Sequence, residues 1–193
     1  VVCQLGRIYG CRVVAIAGSN EKLEYLKTIG VDAVVSHRSA GFSEELRYAC
    51  PDGCDIYFEN VGGAVFDAVL PLLNDQSRIA LCGLISQYGN VDGQDPRSRW
   101  RAVGSAVFER NRVSVHDLFV GNFVADYQDR FLEEMGAYVR AGEVQYLEDK
   151  RHGLENTPEC FAQMLRGENF GKTLMVVSED PTLAGAEGRQ IAV

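Results

Sequence analysis

Residues 12–23 read Arg-Val-Val-Ala-Ile-Ala-Gly-Ser-Asn-Glu-Lys-Leu. Residues 12–18 are a short apolar run rich in β-branched side chains, the pattern of a parallel strand buried on both faces. Ser19, Asn20 and Glu21 then supply cap chemistry ahead of Leu23, Leu26 and Ile29, whose helical spacing stops at Gly30. A buried strand that feeds directly into a capped helix is half of a βαβ unit. The rest of the chain tests whether the unit repeats.

Downstream it does. Residues 33–35 read as a strand, 43–50 as a helix, 54–58 as a strand, 64–73 as a helix and 77–82 as a strand. Parallel neighbours need a crossover, so this alternation predicts an α/β fold with a doubly wound parallel sheet of Rossmann type. Residues 83–99 are rich in Gly, Ser, Asp, Asn and Pro, which predicts a long loop beyond a strand's carboxyl end. Beyond it the patterns predict a short helix at 105–110, a strand at 113–120 and an amphipathic helix at 128–140 closed by Gly142. A helix at 156–166 and a last strand at 172–177 follow, and periodicity ends after Ser178.

Upstream, residues 1–9 are apolar at Val1, Val2, Leu5 and Ile8, a helical spacing that Gly10 stops. This reads as the back half of a helix whose beginning precedes Val1. A dinucleotide fold sets a glycine-rich turn between its first strand and first helix, where the backbone approaches the pyrophosphate. The expectation is therefore a sheet lacking its first strand and its glycine-rich turn. Asn60-Val61-Gly62-Gly63 is no substitute, because it follows a later strand.

Composition bounds the function. At 193 residues, 46% hydrophobic and 24% charged, the chain can bury one sizeable core. A net charge of -8 disfavours broad attraction to nucleic acid or to an anionic membrane, so any phosphate must be held by a local site. No apolar run approaches the roughly 20 residues that span a bilayer, and a cytoplasmic protein is the simplest expectation. The six cysteines (Cys3, Cys11, Cys50, Cys54, Cys82, Cys160) form no C-x-x-C pair and no cluster with histidine at metal spacing. Reduced, buried thiols are expected rather than a disulfide framework or a zinc site. Pro51-Asp52-Gly53, between Cys50 and Cys54, reads as the turn before a strand.

Candidate site residues fall at strand tips, where ligands bind in this architecture. A protein selecting NAD places a carboxylate after the second strand of the full fold, and here Gly18, Ser19 and Asn20 stand there instead. Lys22, with His37 and Arg38 at the next tip, can supply positive charge for a 2′-phosphate. Solvated surface charge is the alternative for Lys22 and Arg38. Asn60 can present donor and acceptor to a ribose or nicotinamide, or can cap the helix starting near Ala64. Gly83 permits close backbone approach, and Ser86 and Tyr88 offer hydroxyls, although a plain turn would look much the same.

Taken together, AGSNEKLEYLKTIGVD (17–32), FENVGG (58–63), CGLISQY (82–88), GEVQY (142–146) and LRGENFGKTLMVV (165–177) resemble one family. It is the prostaglandin reductase, alkenal double-bond reductase and curcumin reductase branch of the medium-chain dehydrogenases/reductases. The resemblance runs in order and with matching spacing to Val177.

The resemblance implies an NADPH-dependent enzyme without zinc, which passes a hydride to the β-carbon of α,β-unsaturated ketones or aldehydes. It places the 2′-phosphate contact on Lys22 and puts His37 where the family has a tyrosine near the adenosine. It assigns the coenzyme Asn60 (with Glu59 for the usual Asp), the stretch Cys82, Gly83, Leu84, Ile85, Ser86, Gln87 and Tyr88, and Asn169, whose alternative role is a turn before Gly171. A strand near the nicotinamide corresponds to Leu118, Phe119 and Val120, although HDLFVGN departs from the family's usual glycine-phenylalanine pattern. No catalytic residue is assigned, because the family's substrate-facing tyrosine would fall near Arg110.

The expected organisation is a partial NADP-binding domain at 1–145, a segment at 146–178 that returns to a missing GroES-like domain, and a flexible tail at 179–193. An apolar edge strand at 113–122 predicts a homodimer. Two other readings stay open here: a cofactor-binding fragment without catalytic competence, and a doubly wound methyltransferase domain.

Overall fold

In the computed structural model the described residues are 1–89, 93 and 95–179. The expected tail therefore lies, apart from Glu179, outside the described residues, as do 90–92 and 94 of the expected loop. The chain divides into a unit of Val1–Gln145 and a second from Tyr146 onward.

The first unit alternates as the sequence predicts: α1 (Val2–Ile8), β1 (Val14–Ala17), α2 (Asn20–Thr28), β2 (Ala33–Ser36), α3 (Phe42–Ala49), β3 (Cys54–Glu59), α4 (Gly63–Val69), β4 (Leu73–Leu81), α5 (Pro96–Arg110), β5 (Ser114–Asp117) and α6 (Val124–Arg140). Every strand pair is parallel. β1 pairs with β2 from Val14 opposite Ala33 to Ala17 opposite Ser36, and β4 lies between β3 and β5. Among the described residues no ladder joins the β1–β2 pair to the β3–β4–β5 group. In the doubly wound order 3-2-1-4-5-6 the strand between these groups is the first, and residues 2–8 already form a helix.

The core of this unit gathers Val35, Phe42 and Leu46 from β2 and α3, Phe66 from α4, Ile79 and Leu81 from β4, and Trp100 from α5. Phe66, Trp100 and Phe108 form an aromatic cluster, with ring centroids 4.5 Å apart for Phe66–Trp100 and 5.3 Å for Trp100–Phe108. Such tilted pairs contribute beyond their buried area.

Several element boundaries differ from expectation. The helix predicted at 105–110 begins at Pro96, which shortens the loop predicted for 83–99. Asp95 is its cap: the carboxylate accepts from the Ser98 backbone N–H at 2.8 Å and the Ser98 hydroxyl at 2.6 Å, and Pro96 fills the first helical position, where no N–H is needed. The helix predicted at 64–73 stops as α4 at Val69, because Leu70–Leu72 tightens to a 3-10 turn around Pro71, and β4 begins at Leu73 rather than at Ser77. α6 begins at Val124, a turn earlier than predicted. The strand predicted at 113–120 is only β5, since Val120–Asn122 closes a 3-10 turn, and the edge strand expected at 113–122 is correspondingly shorter. Of the cysteines only Cys160 is buried; Cys11 and Cys82 are exposed, because each sits where the chain leaves an element. Burial pushes the half-buried Cys54 thiol up to about 11, which keeps it protonated at neutral pH.

The second unit contains β6 (Glu148–His152), α7 (Thr157–Leu165) and β7 (Lys172–Val176), with β6 and β7 paired in parallel. β6 was not expected from the sequence. Its ladder to β7 is a backbone matter, and along it Lys150 pairs with Glu148 and Arg151 with Asp149, both at 2.8 Å.

The Asp95 cap carries a pH dependence. The Ser98 hydroxyl and then the Ser98 backbone N–H hold its carboxyl below the usual carboxylate range. A depressed folded pKa gives stability that is complete above the ordinary range and is lost as pH falls through the depressed value. Asp95→Ala is expected to lower the melting temperature at neutral pH, and the gap from wild type should close as the medium is acidified. Thermal melts of both proteins across pH check this, and a gap that persists in acid would contradict the cap.

Candidate functional site

The carboxyl ends of β1 and β2 bring the first group of predicted residues together. β1 ends at Ala17, whose carbonyl accepts the His37 N–H at 3.1 Å, so the two tips are tied. Ser19 caps α2 by accepting the Lys22 N–H at 3.3 Å, which sets Lys22 in the helix's first turn. Between them Gly18 is covered by the neighbouring tip: a Cβ there would lie 2.5 Å from His37 Nε2 and 3.1 Å from Arg38 Nε. The His37 pKa is lowered, first by burial and then by the charges of Arg38 and Lys22. Both cations therefore act on one imidazole. No carboxylate occupies residues 18–20. The result is a compact basic corner at adjacent strand tips, with no carboxylate at residues 18–20 to oppose an anion.

The second group assembles at the ends of β3 and β4. Cys82 and Gly83 donate backbone N–H groups to the Glu59 carbonyl at 2.9 and 3.0 Å, while Ile85 and Ser86 donate to the carbonyls of Asn60 and Val61, each at 3.0 Å. The Ser86 hydroxyl also donates to the Val61 carbonyl. Residues 60–63 and 83–87 are thus one backbone-laced platform. Gly62, at φ 72 and ψ -164, occupies a conformation open essentially to glycine alone. The residue before α4 is Gly62, and no side chain caps that helix, so the capping alternative for Asn60 does not hold. Asn60 is exposed, and its Oδ1 lies 4.0 Å from where a Cβ on Gly83 would be. Cys82, Ile85, Ser86 and Tyr88 are exposed and Gln87 half-buried, whereas the Leu84 side chain packs into the core, leaving only its backbone for a ligand.

At the end of β5, Leu118 donates its N–H to the Leu81 carbonyl at 3.0 Å, which seats it beside β4. Leu118, Phe119 and Val120 do not form the strand expected of them; they lead into the turn at Val120–Asn122, and Phe119 and Val120 are largely exposed. A cavity of about 360 Å³ opens here, lined by Arg97, Ser98, Arg101, Asp117, Leu118 and Phe119 among others. Asp117 pairs with Arg97 at 2.8 Å and with Arg101 at 2.5 Å. Asn169 stands in the second unit, where its carboxamide N–H donates to the Gly171 carbonyl at 2.9 Å, as its turn role requires.

Two contributors escaped the sequence reading. The sequence marks Glu59 only as a substitution, yet none of its surface is exposed and its carboxylate accepts from the Val61 and Gly62 amides and the Trp100 indole. Trp100 was unassigned. The signal available was the alternation along 54–59, which sets Tyr57 and Glu59 on one face, but nothing in it points to a partner 41 residues away.

The model of the family described as zinc-binding dehydrogenase matches residues 1–137. The NADPH-dependent curcumin reductase of Escherichia coli K12 is 39% identical over 180 residues, covering 93% of this chain and 52% of its own length. Prostaglandin reductase 1 of Mus musculus is 39% identical over 176 residues, covering 91% and 52%. The crystal structure of CurA in complex with NADPH from Vibrio vulnificus superposes with a TM-score of 0.85 at 39% identity, covering 93% of this chain and 53% of that one. A Pseudomonas syringae quinone oxidoreductase, at a TM-score of 0.71 and 14% identity, shares the fold. The chain spans about half the length of the curated relatives it matches.

Proposed function

Because the chain belongs to the zinc-binding dehydrogenase family, we propose that it serves an NADPH-dependent oxidoreductase that reduces the carbon–carbon double bond of α,β-unsaturated ketones or aldehydes. The observation that carries the coenzyme half is the basic corner at the β1 and β2 tips, where His37 and Arg38 cover Gly18 and the charge of Lys22 acts on His37, with no carboxylate at residues 18–20. The likeness to the curcumin and prostaglandin reductases supports the enone or enal half.

The residues present fit NADPH. Lys22 and Arg38 would balance the 2′-phosphate, and His37, held neutral near neutral pH, would lay its ring alongside. Asn60 would offer both a donor and an acceptor, and Gly62 and Gly83 would let the backbone approach. When bound, NADPH supplies the hydride that the substrate's β-carbon receives. The family's name implies zinc, but among the described residues no three His, Cys, Asp or Glu side chains come together to hold a metal. Zinc-independent reduction is part of the proposal. So are a cytoplasmic homodimer, supported by the exposed Phe119, Val120 and Phe123 beyond β5, and service of a GroES-like domain by the second unit. Among the described residues no helix is long and apolar enough to cross a membrane.

The test is thermal unfolding with each coenzyme. A ligand at a hundred times its Kd stabilises by about 2.7 kcal/mol, which corresponds to a rise of roughly 5–10 °C for a chain of this length. That rise is expected with NADPH and a smaller one with NADH at equal concentration, together with NADPH oxidation on adding curcumin or a short 2-alkenal, unaffected by a zinc chelator. Equal shifts with both coenzymes, or none, would remove the reading. A second reading, coenzyme binding without turnover, draws support from the half-length match to the relatives; it predicts the shift without the oxidation.

A further inference from the structure

Glu59 ends β3 with no exposed surface. Burying a carboxylate is costly unless donors replace its water. Here Oε1 accepts the backbone N–H of Val61 at 2.7 Å and of Gly62 at 2.9 Å, and Oε2 accepts the Trp100 indole N–H at 3.1 Å. The Tyr57 phenol lies two residues back on the same strand face, and burial followed by the negative charge of Glu59 pushes its pKa well up. An ionised carboxylate has about four acceptor sites. Three neutral donors occupy three of them.

Two of those donors belong to the loop that carries Asn60. One oxygen gathering the next two amides folds the backbone around Asn60 from beneath, while Ile85 and Ser86 hold the same loop through its carbonyls. The other oxygen binds this loop to α5 through Trp100. A dinucleotide in this architecture lies across the crevice where strand order reverses. With the 2′-phosphate end at the β1–β2 tips, its other half falls to the β3–β4 side.

We propose that Glu59 is a positioning residue for coenzyme binding: its buried carboxylate fixes the loop of residues 60–63, and through Trp100 anchors it to α5, so that Asn60 is held ready for the nicotinamide half. This rests on the NADPH reading above. A residue serving that half acts on the part common to both coenzymes. Loss of Glu59 therefore lowers affinity for NADPH and NADH by one factor, unlike loss of a phosphate contact. Glutamine cannot satisfy all three donors, because its amide nitrogen must face at least one of them. Aspartate can still accept the Val61 N–H in an Asx turn but falls short of Trp100.

The experiment compares wild type, Glu59→Gln, Glu59→Asp, Asn60→Ala and the double variant Glu59→Gln/Asn60→Ala in the full chain. Amide hydrogen exchange at Val61 and Gly62 is followed without ligand, and the coenzymes are titrated by calorimetry. Glu59→Gln is expected to speed exchange at both amides and to weaken both coenzymes equally, by about tenfold, the size of one charge-assisted hydrogen bond. The double variant should bind no worse than Asn60→Ala alone, and Glu59→Asp, which keeps the Val61 contact but not the one to Trp100, should recover protection at Val61 and part of the affinity. Emission from Trp100, the chain's single tryptophan, should shift in both Glu59 variants. A folded Glu59→Gln protein that binds as wild type does, or a loss that adds fully to that of Asn60→Ala, overturns this proposal alone. A wild-type chain that binds neither coenzyme overturns the functional reading and this inference with it.

Discussion

Lys22→Ala is expected to weaken NADPH binding by about tenfold and to leave NADH binding unchanged. Charge-assisted hydrogen bonds contribute about 1.5–3 kcal/mol, and 1.4 kcal/mol is a factor of ten. The lower end applies because Lys22 is only half-buried and solvent and salt screen it. The selectivity follows from position. Lys22 sits in the first turn of α2, where the proposal sets the 2′-phosphate, the group that distinguishes the two coenzymes. Calorimetry with each coenzyme at low and at physiological salt reads the effect, and the NADPH penalty should shrink as salt rises. Equal penalties for both coenzymes would assign Lys22 to packing or to the surface.

Phe66→Ala should cost about 3–5 kcal/mol, the range for emptying a core aromatic site. Phe66 is 1% exposed, stacks on Trp100 and lies 6.2 Å from Phe108, centroid to centroid. Since total stability is typically about 5–15 kcal/mol, the variant forfeits much of it, and the melting temperature should fall by roughly 6–20 °C. Phe66→Leu should fall much less, because it keeps most of the volume. Urea unfolding of the three proteins decides the matter; a loss under about 1 kcal/mol would mean that the aromatic cluster carries little of the first unit's stability.

From residue 12 to residue 82 the architecture was legible because each element announces itself locally. Short β-branched runs, cap residues and terminal glycines agree with one another, and agreement between levels is what makes a pattern trustworthy. At α5 composition and chemistry point opposite ways: Asp95-Pro96-Arg97-Ser98 contains a cap and a first-turn proline, whereas its Gly- and Asp-rich surroundings suggest a loop. β6 was not legible at all, since Glu-Asp-Lys-Arg-His shows no apolar alternation, and what makes it a strand is its ladder to β7. In the candidate site, the place of Lys22 in the first turn of α2 was legible because it stands at a fixed offset from a strand tip. The supports of Asn60 could not, because Glu59 and Trp100 meet only when α5 folds across the end of β3.

The close cover of Gly18 bears on how such a protein could change its coenzyme. The direct route to NADH is a carboxylate at the β1 tip, yet any side chain at residue 18 would first have to displace the imidazole 2.5 Å from its Cβ and crowd the guanidinium at 3.1 Å. The change would thus crowd the same imidazole and guanidinium that the proposal gives to the 2′-phosphate. A designer, or a lineage under selection, would find the easier path one step along, at Ser19, or would have to trade His37 for something smaller beforehand.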